Sequence, residues 1–351
     1  MKKVINIVLS FLFGSQLFAQ ASDSTNMNIL FIGNSYTHMN DMPKLFGKLA
    51  KAKGYEVNVE KTTQSGASFQ VHTTRIDLWD KIKSKQWDYI VLQGYSRELS
   101  EPLSQIDTAT LPYIQRIVDS VRSNNPCTQL LLYMTWGYKN GFLDREEVDT
   151  YSKMTEKISS GYRYISDVLN IPIVPVGQVW KEVIAQYPSI ELYDLDQAHP
   201  SKKGSYVTAC AFYAAIFKDN PKGLITSSIE SEYAYRLQDL AGTYVLNNFK
   251  TYKLYQNRVD VKSVITVDGK FLLFTKANYP NSSSIVWDFG DGQISTDTNP
   301  NHEYMKPGDY TIIVTIDDEC GIRTVKKAVS FQSIITIDKL KPQPSKPTKK
   351  I

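Results

Sequence analysis

Three side chains have the types and spacing for acyl-transfer chemistry. Ser35 follows an apolar run and a glycine in Ile29-Leu30-Phe31-Ile32-Gly33-Asn34-Ser35-Tyr36-Thr37, and His199 lies three residues after Asp196 in Asp196-Gln197-Ala198-His199-Pro200-Ser201. A carboxylate so near an imidazole can hold it in one tautomer and stabilise the imidazolium formed when the ring takes a proton. A base oriented this way can activate a serine hydroxyl. Asp194 stands close by, but the three-residue spacing to the imidazole favours Asp196 as the acid. Ser35 admits two readings, nucleophile or helix cap. As nucleophile it would bring its own N–H, at a helix start where a developing oxyanion is favoured. His38, His72 and His302 read as ordinary surface or satisfied core residues.

These residues must be brought together by the elements between them. From 27 to 217, short apolar runs alternate with amphipathic stretches. Strands are expected at 28–33, 56–61, 87–93, 129–135 and 171–176, and helices at 42–53, 111–123, 146–169 and 204–217. Runs such as Tyr89-Ile90-Val91-Leu92 and Leu130-Leu131-Leu132-Tyr133 are apolar throughout, which points to a parallel sheet covered on both faces by helices. A strand ending in Gly33 and turning into a helix places Ser35 at the carboxyl edge of that sheet, where open α/β folds bind ligands. One more helix is expected at 228–249, closing a first domain over 22–254. Beyond it, residues 255–335 break into short alternating runs separated by Asp-Gly, Gly-Asp-Gly and Lys-Pro-Gly-Asp turns, the pattern of a small β-sandwich. Residues 336–351 alternate Lys with Pro and have little to bury, so a disordered tail is expected.

Composition narrows the function. The net charge is +4, too small and too scattered for a nucleic-acid groove, and a neutral or weakly charged substrate fits better. Cys127, Cys210 and Cys320 lie far apart with no metal-ligand spacing, and free thiols are expected. Residues 1–21 combine Lys2 and Lys3, an apolar run and Ala19-Gln20-Ala21, which reads as a signal peptide. No cysteine follows to accept a lipid, and no later stretch is long enough for a span. The mature protein is therefore expected to be exported, periplasmic or extracellular, without a membrane span.

Taken in order, the blocks resemble the SGNH (GDSL-like) hydrolases over residues 27–217. Gly33-Asn34-Ser35-Tyr36 is similar to the block that carries the nucleophile, Gln64-Ser65-Gly66-Ala67-Ser68 to the block that supplies a glycine, and Asp196 to Ser201 with Gly204 to the last block. The resemblance implies a three-layer α/β/α, flavodoxin-like fold, a Ser35-His199-Asp196 triad, and no metal or cofactor. Where the family has Gly-x-Asn-Asp after the third strand, this chain has Gln93-Gly94-Tyr95-Ser96, similar to the Gln-Gly-Glu-Ser form of the sialic-acid and xylan acetylesterase branch. The implied oxyanion hole is the Ser35 N–H, the Gly66 N–H and the Gln93 side chain, with Ser96 or a rearranged backbone as replacement for the third donor. The rival Gly-x-Ser-x-Gly elbow is absent. Tyr36, Tyr95 and Trp136 are candidate substrate-binding residues, although Trp136 serves equally well in a core.

Trp287-Asp288-Phe289-Gly290-Asp291-Gly292, followed by His302-Glu303-Tyr304 and Gly308-Asp309-Tyr310, is similar to PKD domains, immunoglobulin-like modules of exported enzymes. Asp288 and Asp291 fit ordinary turn chemistry better than calcium binding. The module implies a spacer or adhesion role, with polysaccharide or protein as its contact. The whole chain therefore reads as an exported serine esterase acting on acylated carbohydrate. A lipid or short-chain ester hydrolase and a non-catalytic adhesion protein are the alternatives.

Overall fold

In the computed structural model the described residues are 27–332, apart from 226–227, 256–257, 267 and 280–281. The expected signal peptide and the tail at 336–351 lie outside them. The chain opens with β1 (Met27–Gly33), a short α1 (Ser35–His38), α2 (Met42–Ala52) and β2 (Val57–Thr63). Two more short helices, α3 (Phe69–Thr73) and α4 (Ile76–Lys83), lead to β3 (Tyr89–Leu92); α5 (Leu103–Ala109) and α6 (Leu111–Asn124) lead to β4 (Gln129–Tyr133). Then come α7 (Tyr151–Leu169), β5 (Ile173–Val174), α8 (Val176–Gln186), α9 (Lys202–Phe217) and α10 (Ser231–Asn247).

The five strands form one parallel sheet in the order β2-β1-β3-β4-β5. Ile29 to Ile32 of β1 and Ile90 to Leu92 of β3 are fully buried, as expected for strands with helices on both faces. In this order the chain reverses its direction of travel between β1 and β3, and the crevice at their carboxyl ends is where such sheets bind ligands. α9 is buried along nearly its whole length and packs against α2 and α10. Gly204 in its first turn must lack a side chain, since a Cβ there would lie 2.3 Å from the Leu192 carbonyl oxygen and against the Trp180 ring.

The expected strands and helices are present with shifted ends, and two differ more. The apolar run at 171–176 is a two-residue strand, after which Val176, Val179, Trp180 and Val183 take helical spacing in α8. The run at 146–169 is a single turn of 3-10 helix followed, after Thr150 caps it, by α7.

The second unit is a β-sandwich. One sheet has the order β10-β7-β6 and the other β12-β11-β8-β9, from β6 (Arg258–Ile265), β7 (Phe271–Asn278), β8 (Ser282–Asp288), β9 (Ile294–Ser295), β10 (Asn301–Tyr304), β11 (Gly308–Asp318) and β12 (Gly321–Phe331). All its pairings are antiparallel. Its core, which includes Leu273, Trp287, Phe289, Tyr304, Ile312, Val314 and Phe331, is separate from that of the α/β unit.

The expectation of free thiols holds only for Cys210, which is buried. Cys127, just before β4, and Cys320, in the turn between β11 and β12, form a disulfide across 193 residues. It staples the β-sandwich to the amino-terminal edge of the parallel sheet, the edge opposite the one that carries Ser35.

Candidate active site

β1 ends at Gly33, and Asn34 caps α1 by accepting a hydrogen bond from the Tyr36 N–H at 3.1 Å. Ser35 is thus the first helical residue, and its N–H has no carbonyl a turn earlier to donate to. Its Oγ lies 2.8 Å from His199 Nε2, although 164 residues separate them. On the other side of the ring, His199 Nδ1 meets Asp196 Oδ2 in a short contact. That contact fixes the proton on Nδ1, so Nε2 is the acceptor for the serine hydroxyl.

The acid and base are carried by a tight excursion. Tyr193 and Pro200 pair across its base, the Asp194 N–H donates to the His199 carbonyl at 2.8 Å, and Gln197 takes a left-handed conformation at its tip. Asp196 Oδ1 accepts from the N–H groups of Ala198 at 3.0 Å and His199 at 2.9 Å. Burial pushes the Asp196 pKa up, but the hydrogen bonds from the His199 ring and from these two amides outweigh it, leaving the carboxyl below its usual range. Asp194 instead accepts from the Leu195 N–H, as a turn residue does.

A slab of rings supports this loop. Trp136 is stacked between Tyr36, 4.6 Å away, and Trp180, 3.7 Å away, and its Nε1 donates to the Ala198 carbonyl at 3.1 Å. The Tyr36 ring meets His199 edge-on at 5.4 Å. Trp136 is fully buried and Tyr36 nearly so, which corrects their expected role in substrate stacking: Tyr36 packs against the imidazole, and Trp136 backs Tyr36 and holds the loop at Ala198. Tyr95 remains half-buried.

The expected oxyanion donors divide. Gly66 sits in an exposed turn at φ +67°, a conformation glycine adopts without strain, and its N–H has no partner among the described residues. The turn is tied to the nucleophile because Asn34 Nδ2 donates to the Ala67 carbonyl at 3.2 Å. Gln93 is a correction. Its Oε1 accepts from the Asn34 N–H at 2.9 Å and from Thr37 Oγ1 at 2.7 Å, while its Nε2 donates to Asn34 Oδ1 at 2.9 Å and to the Gly94 carbonyl. It is fully buried with both donors engaged, so it braces the loop under Ser35 and offers nothing to an oxyanion. Ser96, the expected substitute, is paired with the Tyr138 hydroxyl at 2.8 Å.

Three further residues also shape the site. Asn34 caps α1 and joins it to the turns at 67 and 94. Asn40, itself left-handed, donates to the Pro200 carbonyl at 2.9 Å and so ties the end of α1 to the His199 loop. Glu98 accepts from the backbone N–H groups of Phe69, 3.1 Å from each oxygen, and Tyr95, at 2.8 Å, linking the turn after β3 to the start of α3. Only an Asn-Ser pair directly after a strand signals any of these in sequence. Of the other histidines, His38 lies beside the site and is 3.2 Å from Thr63 Oγ1. Its pKa is lowered by partial burial and by Lys61 and His199. His72 is fully buried, with a pKa pushed down to about 4 chiefly by that burial, and His302 pairs with Asp291 in the sandwich.

Comparison with known proteins agrees with this division. Residues 256–332 match the PKD domain model. Over 58 residues the chain is 38% identical to a microbial collagenase of Vibrio alginolyticus, a stretch that is 15% of this chain and only 7% of that protein. The solved structure of a DUF4886 family protein from Bacteroides uniformis is similar over 63% of this chain and 95% of its own, at 19% identity and a TM-score of 0.56. A putative SGNH hydrolase from Slackia heliotrinireducens matches 53% of this chain and 97% of its own at 23% identity, with a TM-score of 0.43. The chain therefore joins a five-stranded parallel α/β/α unit, similar in fold to the DUF4886 family structure, to a β-sandwich whose residues 256–332 match the PKD domain model.

Proposed function

We propose that the protein is an exported serine esterase that removes short acyl groups, acetyl first among them, from carbohydrate. The observation that carries this reading is the aligned series Ser35 Oγ, His199 ring and Asp196 carboxylate, drawn from two ends of the α/β unit to the crevice at β1 and β3. In the proposed reaction His199 Nε2 takes the Ser35 proton as Oγ attacks the ester carbonyl. The oxyanion is met by the free N–H groups of Ser35 and Gly66. The imidazolium, stabilised by Asp196, returns the proton to the departing alcohol. Water then attacks the acyl-serine with His199 again as base, releasing the acid and restoring Ser35.

Carbohydrate is favoured over lipid by the character of the turns at the carboxyl ends of β3 and β4. Tyr95 and Tyr138 there carry hydroxyls and ring faces, which suit a polyol better than an acyl chain. The disulfide supports export, since such bonds persist in oxidising compartments. Among the described residues no helix is long and apolar enough to cross a membrane. The test is hydrolysis of p-nitrophenyl acetate and of acetylated xylan by the mature protein beside Ser35→Ala and His199→Ala. Both variants are expected to lose about three to four orders of magnitude in kcat. A Ser35→Ala variant with full activity would overturn the reading.

A further inference from the structure

We propose that Arg97 is a specificity residue that binds a carboxylate on the substrate, making the preferred ester an acylated sugar acid. The inference rests on the esterase reading and deepens it. Arg97 lies five residues past the end of β3, on the turn whose Gly94 carbonyl is tied by Asn34 Nδ2 at 3.1 Å to the residue before the nucleophile. Its neighbour Ser96 points inward to the Tyr138 hydroxyl. The Tyr36 hydroxyl is buried without a hydrogen-bond partner among the described residues, and its ring touches His199.

The guanidinium is held by its faces and left free at its edges. Its carbon lies 3.9 Å above the Phe142 ring and 5.5 Å from that of Tyr95, and Nη2 donates to the Tyr95 hydroxyl at 3.1 Å. That accounts for one of five N–H donors. No carboxylate pairs with it among the described residues. Glu98 next to it is turned to the backbone of Phe69 and Tyr95, and Glu101 pairs with Arg145 at 2.5 Å. An arginine fixed between rings, partly buried and without a carboxylate in direct contact among the described residues has its fork presented for a planar anion, which it can take with two parallel hydrogen bonds. A carboxylate on the alcohol part of the ester matches that geometry.

The experiment compares a matched pair, O-acetylated glucuronic acid and O-acetylated glucose, with wild type, Arg97→Gln and Arg97→Lys. The wild type is expected to favour the glucuronate ester by at least about tenfold in kcat/KM. Arg97→Gln should abolish the preference through KM while leaving the glucose ester and p-nitrophenyl acetate unchanged, and Arg97→Lys should restore part of it. Absence of a wild-type preference, or an equal fall on both esters in Arg97→Gln, would overturn the proposal. Binding of free glucuronate to the Ser35→Ala variant, measured by calorimetry, needs no turnover and so separates the two readings. Glucuronate binding lost in Ser35→Ala/Arg97→Gln supports the Arg97 site even where esterase activity is not found, and no glucuronate binding overturns it.

Discussion

Glu98 gives the sharpest test of how the site is held. Its carboxyl is buried between the turn at 94–95 and the start of α3, where it accepts hydrogen bonds from two backbone N–H groups but has no cation for a partner among the described residues. Burial pushes its pKa up to about 7, against an ordinary value of 4.5, and the two amides only partly offset it. A folded state that holds the proton more tightly than the unfolded chain has its stabilisation in full below the unfolded pKa and loses it as the pH rises through the folded one. The loss therefore falls between about pH 4.5 and pH 7 and amounts to about 3 kcal/mol once ionisation is complete. Glu98→Gln keeps an oxygen for both N–H groups and removes the titration. Urea unfolding of the α/β unit, followed from about pH 4 to about pH 8, should show the wild type losing about 3 kcal/mol relative to Glu98→Gln. Parallel stability curves for the two proteins would refute the reasoning. Because Glu98 joins the two turns that flank Ser35, Glu98→Ala should also lower activity with the loss of stability, whereas Glu98→Gln should retain it.

Two further outcomes follow from corrections made by the structure. Gln93→Ala strands the Asn34 N–H and the Thr37 hydroxyl in a buried site and should cost about 3 kcal/mol or more in thermal or urea unfolding. A variant that unfolds like wild type but loses two to three orders of magnitude in kcat would restore Gln93 as an oxyanion donor. For the Cys127–Cys320 bond, proteolytic nicking between the two units should leave the fragments joined on a non-reducing gel and separate them once reductant is added, and Cys320→Ser should separate them without it. Fragments of the wild type that part without reductant would contradict the disulfide.

What the sequence revealed and what it concealed follow from the range of the interactions involved. β1, β3 and β4 were legible because strands covered on both faces must be apolar throughout, and this also fixed the crevice in which Ser35 stands. Asp196 and His199 were legible because three residues and a proline suffice to aim one at the other. The roles of Gln93, Trp136 and Cys127 depend instead on partners far along the chain. Gln93 turns inward because Gly33 has no side chain: a Cβ there would lie 2.5 Å from Gln93 Oε1 and 2.4 Å from Thr37 Oγ1. The glycine that reads as a strand end is thus the space into which the amide folds. Trp136 looks like a rim residue because it follows a strand, but Trp180, in a helix hidden behind an apolar run, covers its other face. In β10 the buried residues, His302 and Tyr304, are polar in type and are packed by ring stacking and by the Asp291 carboxylate, partners that no local pattern announces.

The same contrast explains how the site is built. The groups proposed to do chemistry sit on short local segments, α1 and the 194–199 excursion, and each is fixed by a buried polar or aromatic brace from a different part of the chain: Asn34 and Gln93 under Ser35, Trp136 on the His199 loop at Ala198, Glu98 between the flanking turns. A serine and an imidazole on separate loops keep a 2.8 Å contact only if neither loop can move independently. Gln93, buried with all its hydrogen bonds satisfied, meets that need better than it could serve as a donor to substrate, because an amide free to follow an oxyanion would leave Asn34 and the α1 cap unsupported. The third donor position is thereby vacated in favour of rigidity, and the proposed oxyanion hole relies on two backbone N–H groups whose positions these braces determine.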